Sequence, residues 1–164
     1  MEFFDVLLQY KDKLQSLFYN NQNLLKYLYY DCNEPLKMPE IEDFMSTPRI
    51  FFETKDIDTI EYGGCLLFIK LKTRHKFGYT QFLKTNIFFD IFVDSKIAFN
   101  DENRWIKIAK EIDKMIGNKY SVWVGKAKLV DAIPIRTNGG KMEGRRLIYE
   151  TDNISPTFSN AGEI

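Results

Sequence analysis

The 164-residue chain has one histidine, two cysteines, no excess of either charge (23 Lys plus Arg against 23 Asp plus Glu) and no long uninterrupted apolar run. Each shortage removes a class of function. A lone imidazole, His75, excludes HExxH and other sites that need two. It lies in LKTRHKFGYT between Arg74 and Lys76, with no adjacent carboxylate to orient the ring, and so makes a poor general base. Cys32 and Cys65 stand far apart with no CxxC. They read as buried free thiols rather than as zinc ligands or a disulfide framework. A neutral chain has no global field with which to hold DNA, so any nucleic-acid contact must come from a local patch. A membrane span needs about 20 apolar residues, which no segment supplies. The opening MEFFDVLLQYKDK lacks the basic region and small-residue cleavage site of a secretory signal, so the expectation is a cytoplasmic product with no membrane partner. Neither GxxxxGK[ST] nor GxGxxG occurs. The pairs Gly63-Gly64 and Gly139-Gly140 read as turns, and no cofactor is expected. Glu40, Glu42 and Asp43 sit in a Pro-flanked polar stretch without EF-hand spacing and read as a solvated loop, not a metal site.

What is present is apolar periodicity and many aromatics, 14 Phe and 9 Tyr. Phe4, Leu7, Leu8, Leu14, Leu17 and Phe18 recur at helical spacing, Asn20-Asn21 interrupts them, and Leu24, Leu25, Leu28 and Tyr29 resume. This predicts two short helices with an Asn cap between them. Pro35, Pro39 and Pro48 punctuate an ordered connector, and RIFF at 49–52 reads as a short strand. CLLFIKLK begins another strand. NIFFDIFVD at 86–94 is the strongest, with Ile87, Phe89, Ile91 and Val93 on one face and Phe88, Asp90, Phe92 and Asp94 on the other. The second face mixes Phe with acids, so the expected cover is the N-terminal helices or another subunit. From 102 to 116, Trp105, Ile108, Ala109, Ile112, Met115 and Ile116 trace an amphipathic helix, capped by Asn100 or Asp101 and closed by Gly117. Trp105, Ile108, Ile112 and Met115 are its candidate core residues, while Arg104, Lys107, Lys110 and Lys114 read as its solvated side. SVWVGKAKLVDAIPI and RRLIYET give two closing strands around the turn RTNGGKMEG, and SPTFSNAGEI is a tail.

The predicted fold class is α+β: an antiparallel or mixed sheet with one long amphipathic helix packed across it, plus short N-terminal helices. One domain spans 1–164, comprising helices and a Pro-punctuated arm (1–48), an α+β core (49–151) and a tail (152–164). Charge is uneven along it. Residues 40–62 are acidic, whereas 66–86 carry Lys70, Lys72, Arg74, Lys76 and Lys84 with no acid.

This order of elements resembles the tail-terminator or tail-completion proteins of tailed bacteriophages and, more loosely, their neck proteins. The carrying residues are NIFFDIFVD, the helix RWIKIAKEIDKMIGN with Arg104, Ile108, Ala109, Glu111, Ile112 and Asp113, then VGKAKLVDAIPI, a glycine-rich turn and RRLIYET. NNQNLLKYLYYDCNEPLKMPEI is also similar to entries into such proteins, and the resemblance covers roughly residues 20–151. It implies a non-enzymatic virion protein that forms a ring, hexameric or of another order, at the head-proximal end of the tail. Such a ring would meet the tail tube on one side and the head connector or neck on the other, with viral DNA passing through its lumen. Opposite charge on the 40–62 and 66–86 segments suits head-to-tail contact in a ring. The loops 72–86 and 136–145 are the candidate interface or lumen elements, through Arg74, Lys76, Phe77, Tyr79, Arg136, Lys141, Arg145 and Arg146.

Three other readings compete. A head-side neck protein lies within the same structural class. A single-strand nucleic-acid module would use Phe77, Tyr79 and Phe82 interleaved with Lys76 and Lys84. A metal-dependent hydrolase would use Asp90 and Asp94, without an identifiable third ligand or base.

Overall fold

The computed structural model describes residues 3–52, 64–75, 82–119, 126–137 and 140–154. The fold is α+β. Helices α1 (Phe3–Tyr19) and α2 (Gln22–Tyr29) lead into a short 3-10 turn, Pro35–Lys37, and strand β1 (Ile50–Phe51). Strands β2 (Cys65–His75) and β3 (Phe82–Asp94) follow, then helices α3 (Ser95–Asn100) and α4 (Arg104–Ile116), and strands β4 (Lys128–Arg136) and β5 (Met142–Ile154). The sheet order is β1-β2-β3-β5-β4. Among the described strands β1–β2 is parallel and the other pairs are antiparallel, so the sheet is mixed. Among the described residues, no helix is long and apolar enough to cross a membrane.

The alternation in β3 decides which face is buried. Ile87, Phe89, Ile91 and Val93 join Cys65, Leu67 and Ile69 of β2 and Leu147 and Tyr149 of β5 in one core. Leu14 and Phe18 of α1, Leu24, Leu25 and Leu28 of α2, and Ile108, Ile112 and Ile116 of α4 cover it. Phe89 lies at its centre, its ring 5.7 Å from Phe18 and 5.6 Å from Tyr149. The helices thus occupy the same face as the isoleucine row, and the N-terminal helices do not cover the face bearing Phe88 and Phe92. That second face holds its own small apolar cluster, Phe51, Leu66, Phe68 and Phe92, with Ile135 and Met142 against it. Register explains the cluster: Leu66, Phe92, Gly144 and Ile135 are opposite one another across four strands. Gly144 is required there, since a Cβ would stand 2.5 Å from the Ile135 side chain and 2.9 Å from the Phe92 ring.

Several boundaries differ from the sequence expectation. At 17 residues α1 is longer than α4 at 13, so the expectation of one long helix accompanied by short N-terminal ones is corrected. Asn21 does cap α2, its side-chain oxygen accepting from the Leu24 amide. Asn100 and Asp101 do not cap α4, whose N-cap is Asn103. Asp101 is occupied by Arg104 Nε and Lys107 Nζ instead. Asp94 caps the additional helix α3 by accepting from the Lys96 amide. Gly117 ends α4, as its spacing indicated. β4 takes an edge position, the place in a sheet that tolerates Pro134, and residues 121–125 of the predicted strand lie outside the described residues.

The connector after α2 is pinned rather than loose. Gln22 exchanges two hydrogen bonds with the Ile41 backbone (3.0 and 2.9 Å), and the Tyr29 hydroxyl lies within 2.9 Å of the Phe44 and Thr47 carbonyls. Cys65 is buried in the core, but Cys32 is exposed, which corrects half of the expectation for the thiols. Cys32 follows the last turn of α2, where only its carbonyl is drawn inward. Burial pushes the Cys65 thiol up to about 12. Iodoacetamide is therefore expected to label one cysteine in the native protein and two in denaturant. Rapid native labelling of both would contradict this core.

Candidate functional site

The most heavily engaged side chain is Arg104, which the sequence placed on the solvated side of its helix. It is fully buried. Arg104 Nη1 donates to the Tyr27 carbonyl at 3.0 Å and the Tyr30 carbonyl at 2.7 Å, and Nη2 donates to the Cys32 carbonyl at 2.6 Å. Nε donates to Asp101 at 2.9 Å. The planar guanidinium thus satisfies carbonyls at the end of α2, and fixes α2 against α4. A second polar link joins the same helices. Glu111, also buried, accepts from Asn21 Nδ2 at 3.3 Å and from Lys114 Nζ at 2.8 Å. Arg104 and Glu111 share the helix face of Ile108, and that i, i+4, i+7 placement was the available signal that both are buried.

The Asp101 carboxyl is subject to opposing effects. Burial acts to raise it, yet hydrogen bonds from Arg104 and Lys107 and the charges of both hold it below its ordinary value. A depressed folded value means that the stabilisation is complete above the unfolded carboxyl range, near pH 4. It is lost as pH falls through the folded value. The free energy of unfolding is therefore expected to decline in acid below about pH 4, with a shallower decline in Asp101→Asn. Identical acid profiles for the two proteins would show that Asp101 is not the group responsible.

The second sheet face carries the other polar cluster. Asp90 is 2% exposed and takes a two-point contact from Arg146, at 2.7 and 2.8 Å, with Lys70 at 3.4 Å. Arg146 also lies over the Phe88 ring, 5.2 Å from its centroid. Asp90 is thus committed to cations and Asp94 to the start of α3, which argues against the pairing of these two acids on a metal. Among the described residues, no group of three or more His, Cys, Asp or Glu side chains is placed to hold a metal ion.

The loop residues singled out from sequence are dispersed. Lys76, Phe77 and Tyr79 lie outside the described residues. Arg74 is on β2, because pairing continues to His75 opposite Leu83 and shortens the expected 72–86 loop. The 136–145 loop is likewise shorter, since β4 runs to Arg136 and β5 starts at Met142. Arg136 and Lys141 are exposed. The turn is tied to the body by Ser95, whose amide and Oγ both donate to the Lys141 carbonyl. Arg145 and Arg146 are strand residues. Arg145 stacks over Trp105 of α4, 5.4 Å from the ring centroid, so it packs inward rather than serving a free loop. Ile108 and Ile112 are fully buried, while Trp105 and Met115 are half-buried against the core.

Of the basic block in the sequence, the described side chains Lys70 and Lys72 have mixed surroundings. Strand order sets Lys72, Asn86, Glu150 and Lys128 in one row, and Lys70 leans on Asp90. β5, inserted between β3 and β4, supplies the acid. The result is exposed cations of mixed surroundings on β2, β4 and the β4–β5 turn, and Leu129 and Val130 of β4 are exposed as well.

Comparison with protein families gives a match to the YomW family model over residues 21–151, from the Asn cap of α2 into β5. A comparison with curated proteins gives no match.

Proposed function

Because the chain belongs to the YomW family, which is phage-associated, we propose that it is a structural virion protein of a tailed bacteriophage that terminates the tail and joins it to the head. What supports the tail part of this reading is the order of the elements, and what supports its phage part is the family match. It covers α2 to β5, the same elements whose order resembles tail-completion proteins. In this reading the subunits form a ring at the head-proximal end of the tail tube, bind the head connector on the opposite rim, and surround the passing DNA. The sheet with α1, α2 and α4 is the rigid body of each subunit. Exposed Lys72, Lys128, Arg136 and Lys141 are the cations available to the lumen. Their interleaving with Glu150 and Asp131 suits DNA transit, because a surface of alternating sign gains little from counterion release and holds phosphate weakly. The protein acts by fitting between assemblies, and its chemistry is that of contact rather than bond-making.

The test is genetic and biochemical together. A phage lacking this gene should accumulate DNA-filled heads and separate tails, and purified protein added to that lysate should restore joined particles. Complete infectious particles in its absence would overturn the proposal. Defective heads with normal tails would place the protein on the head side instead.

A further inference from the structure

Among the described strands β4 ends the sheet on one side, and its residues Lys128 to Ala132 are all exposed, with Leu129 and Val130 at 51% and 59%. An exposed edge with apolar side chains is ordinarily a template on which another chain lays a strand. Three residues of this edge work against that. The register passes from Leu129 opposite Tyr149 to Asp131 opposite Ile148, so Val130 is an extra residue with no partner on β5. Such a bulge breaks the regular spacing of donors and acceptors and twists the edge. From Asp131 to Arg136 the pairing with β5 is continuous. Pro134, opposite Arg145, has no N–H, and it keeps its place in that ladder because its nitrogen faces away from β5. The amide of Ala132, two residues earlier, has the same direction. It donates to the Asp131 carboxylate at 2.8 Å. Of the outward donors in the regular part of the strand, that of Ala132 is thus occupied by its neighbour's side chain and that of Pro134 is missing, which leaves Arg136 at the strand's end.

We propose that the β4 edge is closed to strand addition: Asp131 and Pro134, with the bulge at Val130, keep copies of this chain from joining sheet to sheet through β4. The excluded partner is the β4 strand of a second copy, which would otherwise pair antiparallel across a two-fold axis and continue the sheet from one subunit into the next. A backbone donor bonded to its own chain has to give up that bond before it can pair with another, and a proline has none to offer. The exposed Leu129 and Val130 therefore stand on an edge whose backbone does not recruit a partner. The proposal holds for any assembly that the chain forms, so it stands apart from the ring reading. Within a ring it excludes a subunit contact made by a sheet continued through β4.

The test is amide hydrogen exchange of the full chain at low and high protein concentration, with light scattering on the same samples. Strand addition has its own signature: the outward amides slow, while those of Ile133 and Ile135, which face β5, do not change. In the wild type, exchange at Ala132 and Arg136 should show no such alternating slowing as concentration rises. Asp131→Ala combined with Pro134→Ala restores two outward donors without adding apolar bulk. In that variant, exchange at 132, 134 and 136 should slow at least about tenfold at high concentration, together with a gain in mass. Asp131→Asn keeps a side-chain oxygen for the Ala132 amide and should behave as the wild type, which separates the hydrogen bond from the charge. Unchanged exchange within β3 and β5 reports that a variant is folded. Alternating slowing in wild-type β4 would overturn the proposal, and so would a folded double variant whose β4 exchange is indifferent to concentration. If the double variant does not fold, Pro134→Ala alone, with one donor restored and a slowing of about threefold expected, decides in its place.

Discussion

Arg104→Ala is expected to lower the free energy of unfolding by about 3–5 kcal/mol, the cost of removing one partner from a buried charged cluster. Three carbonyls, those of Tyr27, Tyr30 and Cys32, would lose their donor together, and Asp101 would lose its closest cation. Arg104→Lys should recover only a minor part. An ammonium is a point charge without the planar fork that reaches the α2 carbonyls and Asp101 at once. Denaturant unfolding of the three proteins at neutral pH measures this directly. A loss below about 1 kcal/mol for Arg104→Ala would mean that water enters and replaces the guanidinium. The effect should also be local in origin, with the end of α2 and the connector gaining hydrogen exchange before the sheet does.

The second large effect concerns adjacent residues of β3. Phe89→Ala should cost about 3–5 kcal/mol, because the ring is fully buried between Phe18 and Tyr149 and leaves a cavity that three elements would have to collapse to fill. Phe88→Ala, one residue away on the opposite face, should cost about 1 kcal/mol. It loses a half-buried ring and its contact with Arg146. Comparable losses at the two positions would contradict the assignment of the helices to one face.

These two cases mark what could and could not be read from the chain. The faces of β3 were legible because alternation with period 2 places Ile87, Phe89, Ile91 and Val93 together regardless of what they pack against. The buried stripe of α4 was legible for the same reason at period 3.6. Arg104 was not, because its partners are carbonyls 72 to 77 residues earlier, and no local pattern encodes them. A charged residue at a helix start ordinarily reads as solvated, and here only its position on the apolar stripe contradicted that. Asp101 has the residue type and place of a cap but does not act as one, because its carboxylate has stronger partners in Arg104 and Lys107 than a backbone amide. Helix α3 is not legible in the sequence because six residues give too few turns for periodicity, though Asp94 before Ser-Lys is a cap signal.

The candidate surface was less legible than the fold. Lys72 of the basic segment stands in a mixed row because β5 places Glu150 between β3 and β4, a consequence of strand order that the linear chain does not specify. Arg145 and Arg146 looked like a free basic pair beside a glycine-rich turn, yet successive strand residues point to opposite faces, and each meets an aromatic ring there. Phe99 is one of 14 phenylalanines, and its exposure is visible only in the fold.

The measurement that tests the central claim most directly is the position of this protein in finished particles. An epitope tag placed after Ile164 and labelled with gold-conjugated antibody should mark the junction between head and tail in purified virions, with one ring of label per particle. Label along the tail, on the capsid shell or at the distal tip, or none on any intact particle, would contradict the account.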